Sequence, residues 1–218
     1  INKMKLFNQS TTFGYSWDQV VSAFWKRYPN PFSQHVLSED VLERRMIGRT
    51  LYTKRLLVKT NSLPKWGERF ISVRTLPVLE ESVIDLDRKC IKTLTRNIHH
   101  KKVMNVEESV TYEPKSNFME TLVTKQAKIM SHIYGFSFAI EAFGYERFKK
   151  NSSKANKGYI YILSTINDAK PAKNSSSDTL ERVFEETKET FKDVARGKAK
   201  LANGLANSPL YVHYRHEA

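Results

Sequence analysis

Cysteine is almost absent: one residue, Cys90, in 218 positions excludes an internal disulfide and any cysteine-based zinc site of ordinary spacing, so stability has to come from packing. No stretch approaches the roughly 18 to 20 apolar residues that cross a bilayer, and no compact apolar segment at the start has the form of a secretory signal. A membrane, if met, is met at its surface. The nucleophile-elbow, zinc-protease, phosphate-loop and dinucleotide patterns (GxSxG, HExxH, Walker A, GxGxxG) are all missing. Cys90 has no evident base nearby. Acidic residues are also short, 23 against 36 Lys and Arg, for a net charge of +13. Residues 170–218 carry nine basic and seven acidic side chains, so the excess belongs to residues 1–169. A field of that sign attracts nucleic acid, anionic lipid or an acidic protein, and composition alone does not choose among them.

What is present is a globular composition: 40% hydrophobic residues, with 12 Phe, 10 Tyr and 3 Trp. Residues 4–13 alternate loosely and read as a strand. Ser16 is placed to cap a helix carrying Val20, Val21, Phe24 and Trp25, which ends at Pro29 because proline removes a donor and restricts its predecessor. Further strands are predicted over 36–46, 50–60, 73–84, 90–98, 103–113 and 119–130, rich in Val, Ile, Leu, Thr and Tyr. Seven strands joined mostly by short turns make an antiparallel meander that needs a helix over one face. The segment 136–166 supplies it, with Phe136, Ile140, Phe143, Phe148, Tyr159, Ile162, Leu163 and Ile166 suited to packing on a sheet. Residues 168–177 read as a linker, and 178–218 as an amphipathic tail helix opened by the capping pair Asp178 and Glu181. The fold class is therefore α+β, with a domain over 4–167.

Three constellations stand out. In the strand Leu51–Lys59 the period of two places Arg55 and Lys59 with Leu51, Thr53 and Leu57. Either this is a solvated edge strand with snorkelling cations, or the two cations face an apolar cavity and bind an anionic head group. On the long helix Phe143, Arg147, Asn151, Lys154 and Gly158 share one face that passes from apolar to basic, a pattern suited to an amphiphile or to a packing face reaching solvent. The loop Asn61–Phe70 carries Leu63, Trp66 and Phe70 and reads as a pocket lid, a membrane anchor or a buried plug. His99–His100 reads as a hairpin end rather than a metal site, and Glu39–Asp40 and Glu107–Glu108 as ordinary strand residues.

The run Ser16-Trp17-Asp18, Phe24-Trp25-Lys26-Arg27-Tyr28-Pro29-Asn30-Pro31, His35-Val36-Leu37, Arg55-Leu56-Leu57, Leu63-Pro64-Lys65-Trp66, Thr95-Arg96-Asn97-Ile98 and Val106-Glu107-Glu108 resembles the PRELI family over about residues 4–167. The wording FWKRYPNP is closer to its PRELI branch than to its slowmo branch, and the tail resembles the late-embryogenesis-abundant-like helix of animal members. The resemblance implies a concave seven-stranded antiparallel sheet closed by a long C-terminal helix, a lipid pocket between them and an omega-loop lid. It implies no enzyme, no cofactor and no metal, but a carrier moving phosphatidic acid between the mitochondrial membranes across the intermembrane space, in support of cardiolipin synthesis. Phosphatidylserine is the alternative cargo, and a nucleic-acid-binding protein the alternative of another class. The implied partners are a small twin-cysteine-motif protein and an anionic membrane surface. Carried over by position, the resemblance assigns the head group to Arg27, His35, Arg55, Lys59, Arg147, Asn151 and Lys154. It assigns lid and membrane contact to Leu63, Pro64 and Trp66, and a stretch of pocket wall to Phe143.

Overall fold

Seven strands and two helices make up the computed structural model, which describes residues 4–61, 63–71 and 73–168. The elements are β1 (Lys5–Phe13), α1 (Trp17–Phe24), β2 (Val36–Ile47), β3 (Thr50–Thr60), β4 (Thr75–Asp85), β5 (Cys90–Asn97), β6 (Asn105–Pro114), β7 (Thr121–Met130) and α2 (Ser137–Asp168). The predicted tail helix over 178–218, and the linker before it beyond Asp168, lie outside the described residues. The sheet order is β1-β7-β6-β5-β4-β3-β2 and every pairing is antiparallel. Strands β2 to β7 follow one another as hairpins, and β1 closes on the free edge of β7, so α1 and residues 25–35 carry the chain across to the far edge.

Local chemistry sets the ends of α1. The Ser16 hydroxyl accepts from the Gln19 amide, and the Gln19 side chain accepts from the Ser16 amide, so two donors of the first turn are satisfied reciprocally. Pro29 and Pro31 then keep the chain from continuing as helix. One face of α1 is buried through Trp17, Val20, Val21 and Phe24, and Trp17 donates its indole N–H to the Tyr112 carbonyl at 3.2 Å. Helix α2 begins one residue later than the predicted 136 and lies over the inner face of the sheet through Ile140, Phe148, Tyr159 and Leu163. Tyr159 meets Phe13 and Tyr112 edge-on at 5.4 and 5.8 Å and donates its hydroxyl to the Val20 carbonyl at 2.7 Å. That contact joins sheet, α1 and α2 in one core. Phe136, expected in the packing face, precedes α2 and is exposed.

Two helical glycines let neighbouring segments approach. A Cβ on Gly144 would lie 2.6 Å from Met104 Sδ, and one on Gly158 would lie 2.5 Å from Asn30 Oδ1. Asn30 cannot retreat freely, because Nδ2 donates to the Arg27 carbonyl at 2.6 Å and Oδ1 accepts from the Phe32 amide at 2.9 Å. Gly158→Ala is therefore expected to lower the melting temperature. The roughly 1 kcal/mol that alanine normally gains over glycine in a helix is outweighed by an overpacking cost of roughly 1–3 kcal/mol. A rise in the thermal midpoint would show that Asn30 yields.

Candidate functional site

A cavity of about 220 Å³ lies between the inner face of the sheet and α2, bounded also by residues of the 27–35 segment and by Leu63 and Ile71 of the β3–β4 loop. Its walls mix apolar side chains such as Val78, Val110 and Phe148 with three groups of charges.

The first group is fully compensated. Arg27 follows α1, donates Nε to the Phe24 carbonyl at 3.0 Å, and donates Nη2 to both carboxylate oxygens of Glu80 at 2.9 and 3.1 Å. In the β3–β4 register Arg55 stands directly opposite Glu80, and its two terminal nitrogens bond Glu80 and Glu39. Both guanidinium groups lie against the Phe24 ring, 4.1 Å away for Arg27 and 5.1 Å for Arg55. Burial opposes the charge on Arg27, but Glu80 together with Tyr28, Tyr112 and Tyr159 outweighs it and raises the guanidinium pKa; burial opposes the charge on Glu80, but Arg27, Arg55 and Lys59 together outweigh it and hold its pKa below the ordinary value. The second group is a further pair: Lys125 donates to Ser152 Oγ at 3.0 Å and lies 3.5 Å from a carboxylate oxygen of Glu108. Burial lowers the Lys125 pKa, and Glu108 works against that shift.

The third group gathers around His35. His35, Lys59, Arg147 and Asn151 line the lid side of the cavity, and Lys154 lies exposed on α2 within electrostatic reach of His35. Burial first, then Lys59, Lys154 and Arg147, push the His35 pKa below its ordinary 6.5, and no carboxylate acts in the other direction. Among the described residues neither Lys59 nor Lys154 makes an ion pair. Arg147 donates to the Asn61 side chain at 3.2 Å, and the Asn61 amide donates to the Arg74 carbonyl at 2.6 Å, so the helix touches the neck of the β3–β4 loop. Cations gathered beside an apolar wall can hold an anion.

The loop itself contains a 3-10 turn at Gly67–Arg69, opened by the Pro64 carbonyl accepting from the Gly67 amide at 2.7 Å. Trp66 is neither buried as a plug nor free: it is 43% exposed, and its ring meets Phe143 edge-on at 5.6 Å. Leu63 faces the cavity, and Phe70 rests on Phe136 at 5.4 Å.

The residues selected from the sequence are thus divided by the fold. Arg27, His35, Lys59, Arg147, Asn151 and Leu63 line the cavity. Arg55 is 1% exposed and is not part of the lining, because carboxylates from both neighbouring strands capture it behind the wall. Phe143, expected as pocket wall, supports Trp66 from below instead, and Pro64 shapes the turn of the loop. Sequence reasoning missed Glu80, Glu108 and Lys125 as site residues. Their signal is a polar residue inside a period-two apolar run: Val78-x-Glu80-x-Ser82-x-Ile84 on β4 and Val123-x-Lys125-x-Ala127-x-Ile129 on β7. Glu107 and Glu108, read together as ordinary strand residues, point to opposite faces, and only Glu108 enters the cavity.

His99 and His100 do end a hairpin, with rings 6.4 Å apart, and among the described residues no group of three His, Cys, Asp or Glu comes together as metal ligands. Cys90 is buried beside Glu113, and burial, followed by that carboxylate, pushes its thiol pKa up to about 11, the opposite of an activated nucleophile.

Residues 18–169 match the model of the PRELI-like family. The chain is 39% identical over 195 residues to PRELI domain-containing protein 1, mitochondrial, of Homo sapiens, covering 87% of each chain. It is 31% identical over 212 residues to Protein UPS2, mitochondrial, of Saccharomyces cerevisiae, covering 94% of this chain and 91% of that one. Among solved structures the fold is similar to that of the Thermus thermophilus protein TTHA0849, with a TM-score of 0.54 at 13% identity over 74% of this chain and 99% of that one.

Two outcomes follow for the charged groups. Arg55→Ala leaves Glu39 without its partner and buried Glu80 with Arg27 alone, and is expected to cost roughly 3–5 kcal/mol of unfolding free energy, whereas Lys59→Ala should cost no more than about 1 kcal/mol; equal losses in urea denaturation would erase the distinction between the two cations. For His35 the folded pKa is lowered, so below about pH 6.5 the unfolded chain takes up a proton that the folded chain refuses. The stability contribution of His35 therefore falls as the pH drops from 6.5 toward the folded pKa. An NMR titration of His35 with a midpoint at or above 6.5 would contradict the placement of the three cations around it.

Proposed function

The chain belongs to the PRELI-like family, and from that premise we propose that residues 4–167 form a non-catalytic phospholipid carrier of the mitochondrial intermembrane space. In this proposal it extracts phosphatidic acid from one mitochondrial membrane and delivers it to the other, in support of cardiolipin synthesis, with a small twin-cysteine protein as its partner. The observation that carries the reading is the convergence of Lys59, Arg147 and Lys154 on His35, a ring on which no carboxylate acts, beside an apolar cavity between sheet and helix. The named mitochondrial relatives support the mitochondrial part of that reading.

The mechanism is one of transfer free energy. Each acyl methylene left in water costs about 0.8 kcal/mol, so a carrier replaces the bilayer with an apolar cavity and replaces head-group hydration with cations. The cavity, about 220 Å³, is smaller than the roughly 300–1,000 Å³ usual for a ligand cleft. A two-chain lipid therefore enters only as the β3–β4 loop gives way, with Leu63 and Trp66 leaving their present seats. A phosphomonoester offers two negative charges to Lys59, Arg147 and Lys154, and it raises the pKa of His35 by supplying the counter-charge that the ring lacks.

Phosphatidylserine is the second reading, because Glu80 and Glu108 line the same cavity and an ammonium group seeks carboxylates. Both are already committed, Glu80 to two guanidinium groups and Glu108 to Lys125, which favours the head group with no cation. A nucleic-acid ligand is disfavoured for these residues, since they converge on a cavity rather than along an open face.

Transfer of fluorescent phosphatidic acid between liposomes tests the proposal, with phosphatidylserine and phosphatidylcholine in parallel. Phosphatidic acid should move fastest, and Lys59→Glu should slow it by at least about tenfold through loss of a charge-assisted contact, with the melting profile unchanged. Absence of transfer of any of the three lipids by folded protein would reject the carrier, and preference for phosphatidylserine would reject the assigned cargo.

A further inference from the structure

We propose that the lid end of the domain is an oriented docking face for an anionic bilayer, and that two segments outside the lid supply most of its contact: the β5–β6 turn (residues 98–104) and the β7–α2 connection with the start of α2 (residues 131–138). The inference deepens the carrier reading and rests on it for the need to meet a membrane.

The meander puts the β3–β4 loop, the β5–β6 turn and the β7–α2 connection at one end of the sheet, and the β2–β3, β4–β5 and β6–β7 turns at the other. The two ends differ in charge. Segments 61–74, 98–104 and 131–138 hold five Lys and Arg side chains (Lys65, Arg69, Arg74, Lys101 and Lys102), one carboxylate (Glu68) and three histidines. The far-end segments 13–18, 47–50, 85–90 and 113–121 hold four Lys and Arg against five Asp and Glu. Pairing sharpens the contrast. At the far end Arg49 bonds Asp87 at 2.8 Å, Lys89 bonds Asp18 at 3.2 Å and Lys115 bonds Glu120 at 3.1 Å. Among the described residues none of the five lid-end cations makes an ion pair.

Exposed rings stand among those cations. Tyr134 is 100% exposed and Phe138 67%, while Trp66 on the loop is 43% exposed. The two segments are held rather than loose. The His132 amide donates to the Lys102 carbonyl at 2.9 Å, which joins the turn to the connection. Buried Asn97 donates to the His99 and Met104 carbonyls at 2.7 and 3.0 Å, which fixes the shape of the turn that projects Lys101 and Lys102. Lys5 Nζ lies 5.3 Å from the centre of the Phe138 ring and adds a further cation at the same rim. Exposed rings interleaved with Lys and Arg that make no ion pair, on separate turns that share one end of the sheet, match the head-group layer of an anionic leaflet. Seated that way, the domain presents its lid to the membrane.

The test is co-sedimentation of the full chain with phosphatidylcholine vesicles that contain phosphatidylglycerol, an anionic lipid outside the proposed cargo, against pure phosphatidylcholine vesicles. Binding is expected only to the anionic vesicles and should weaken with added salt. The double variant Lys101→Glu/Lys102→Glu should lose at least about tenfold in affinity, from about 1 kcal/mol per juxtamembrane cation. Tyr134→Ala/Phe138→Ala should lose several-fold. In both variants, loading of detergent-dispersed phosphatidic acid, read by native mass spectrometry, should stay at the level of the unmodified chain. Unchanged sedimentation of both variants would overturn the inference, as would equal binding to neutral vesicles, or a loss of cavity loading parallel to the loss of vesicle binding. Retention on polyglutamate without binding to either vesicle would overturn it in favour of an acidic protein partner. Vesicle binding that depends on these residues, by a chain that transfers no lipid, would leave the docking face standing and remove the carrier.

Discussion

Glu80 sits where three parts of the molecule meet. Its carboxylate takes Arg55 from β3 directly across the ladder, and Arg27 from the end of α1, at the wall of the cavity. Two guanidinium groups buried without that carboxylate would each face a desolvation cost of several kcal/mol. With it, and with Glu39 closing the far side of Arg55, the charges stay ionised at depth and α1 is fixed to the sheet. The pairing of β3 with β4 and the seating of α1 thus share one side chain. So does the division of labour inside the cavity.

That division follows from counting counter-charges rather than cations. Arg27, Arg55 and Lys125 are answered by Glu80, Glu39 and Glu108, whereas among the described residues neither Lys59 nor Lys154 makes an ion pair. An entering anion gains little from a cation that has a carboxylate in contact, because forming the new bond breaks an existing one. It gains most beside His35, where burial and all three neighbouring cations disfavour a proton on the ring. In the proposed carrier the compensated groups build the wall, and the cations around His35 supply the affinity. Arg27 has a part in both, since its guanidinium lines the cavity while it holds Glu80.

Elements with a one-dimensional signature were legible in the sequence, and contacts across the sheet were not. Ser16, Pro29, the alternation in β1 and β3, and the Val, Ile, Leu, Thr and Tyr content of the other strands are local patterns, and they placed the strands and α1 within a few residues. The stripe from Phe143 to Gly158 left open whether it faced a ligand or a neighbour; Arg147 and Asn151 line the cavity, whereas Phe143 meets Trp66, Lys154 is exposed and Gly158 makes room for Asn30. Arg55 shows the limit most clearly. Its face was readable from the period of two, whereas its fate depends on which carboxylates the two flanking strands bring within reach, Glu80 directly opposite and Glu39 diagonally, and those lie 25 and 16 positions away along the chain. Glu80 and Lys125 were visible as polar interruptions of apolar runs, a cue that only becomes meaningful once both flanking strands are known to be covered.

The bond between Arg147 and Asn61 ties affinity to access. Asn61 joins the two ends of the β3–β4 loop, through its amide to the Arg74 carbonyl and through its side chain to the Val73 carbonyl at 3.3 Å, while its side-chain oxygen accepts from Arg147. An anion that recruits the Arg147 guanidinium competes with Asn61 for the same donors, so head-group capture loosens one fastening of the loop as it makes another contact. A carrier has to release what it binds, and a cage in which every cation was committed only to the ligand would hold too tightly to deliver. Here the strongest ion pairs are made within the protein, one cation of the site is shared with the loop, and a histidine with a lowered pKa becomes a good donor only once the anion is present. In the proposed carrier, moderate and reversible affinity would then follow from how the charges are paired.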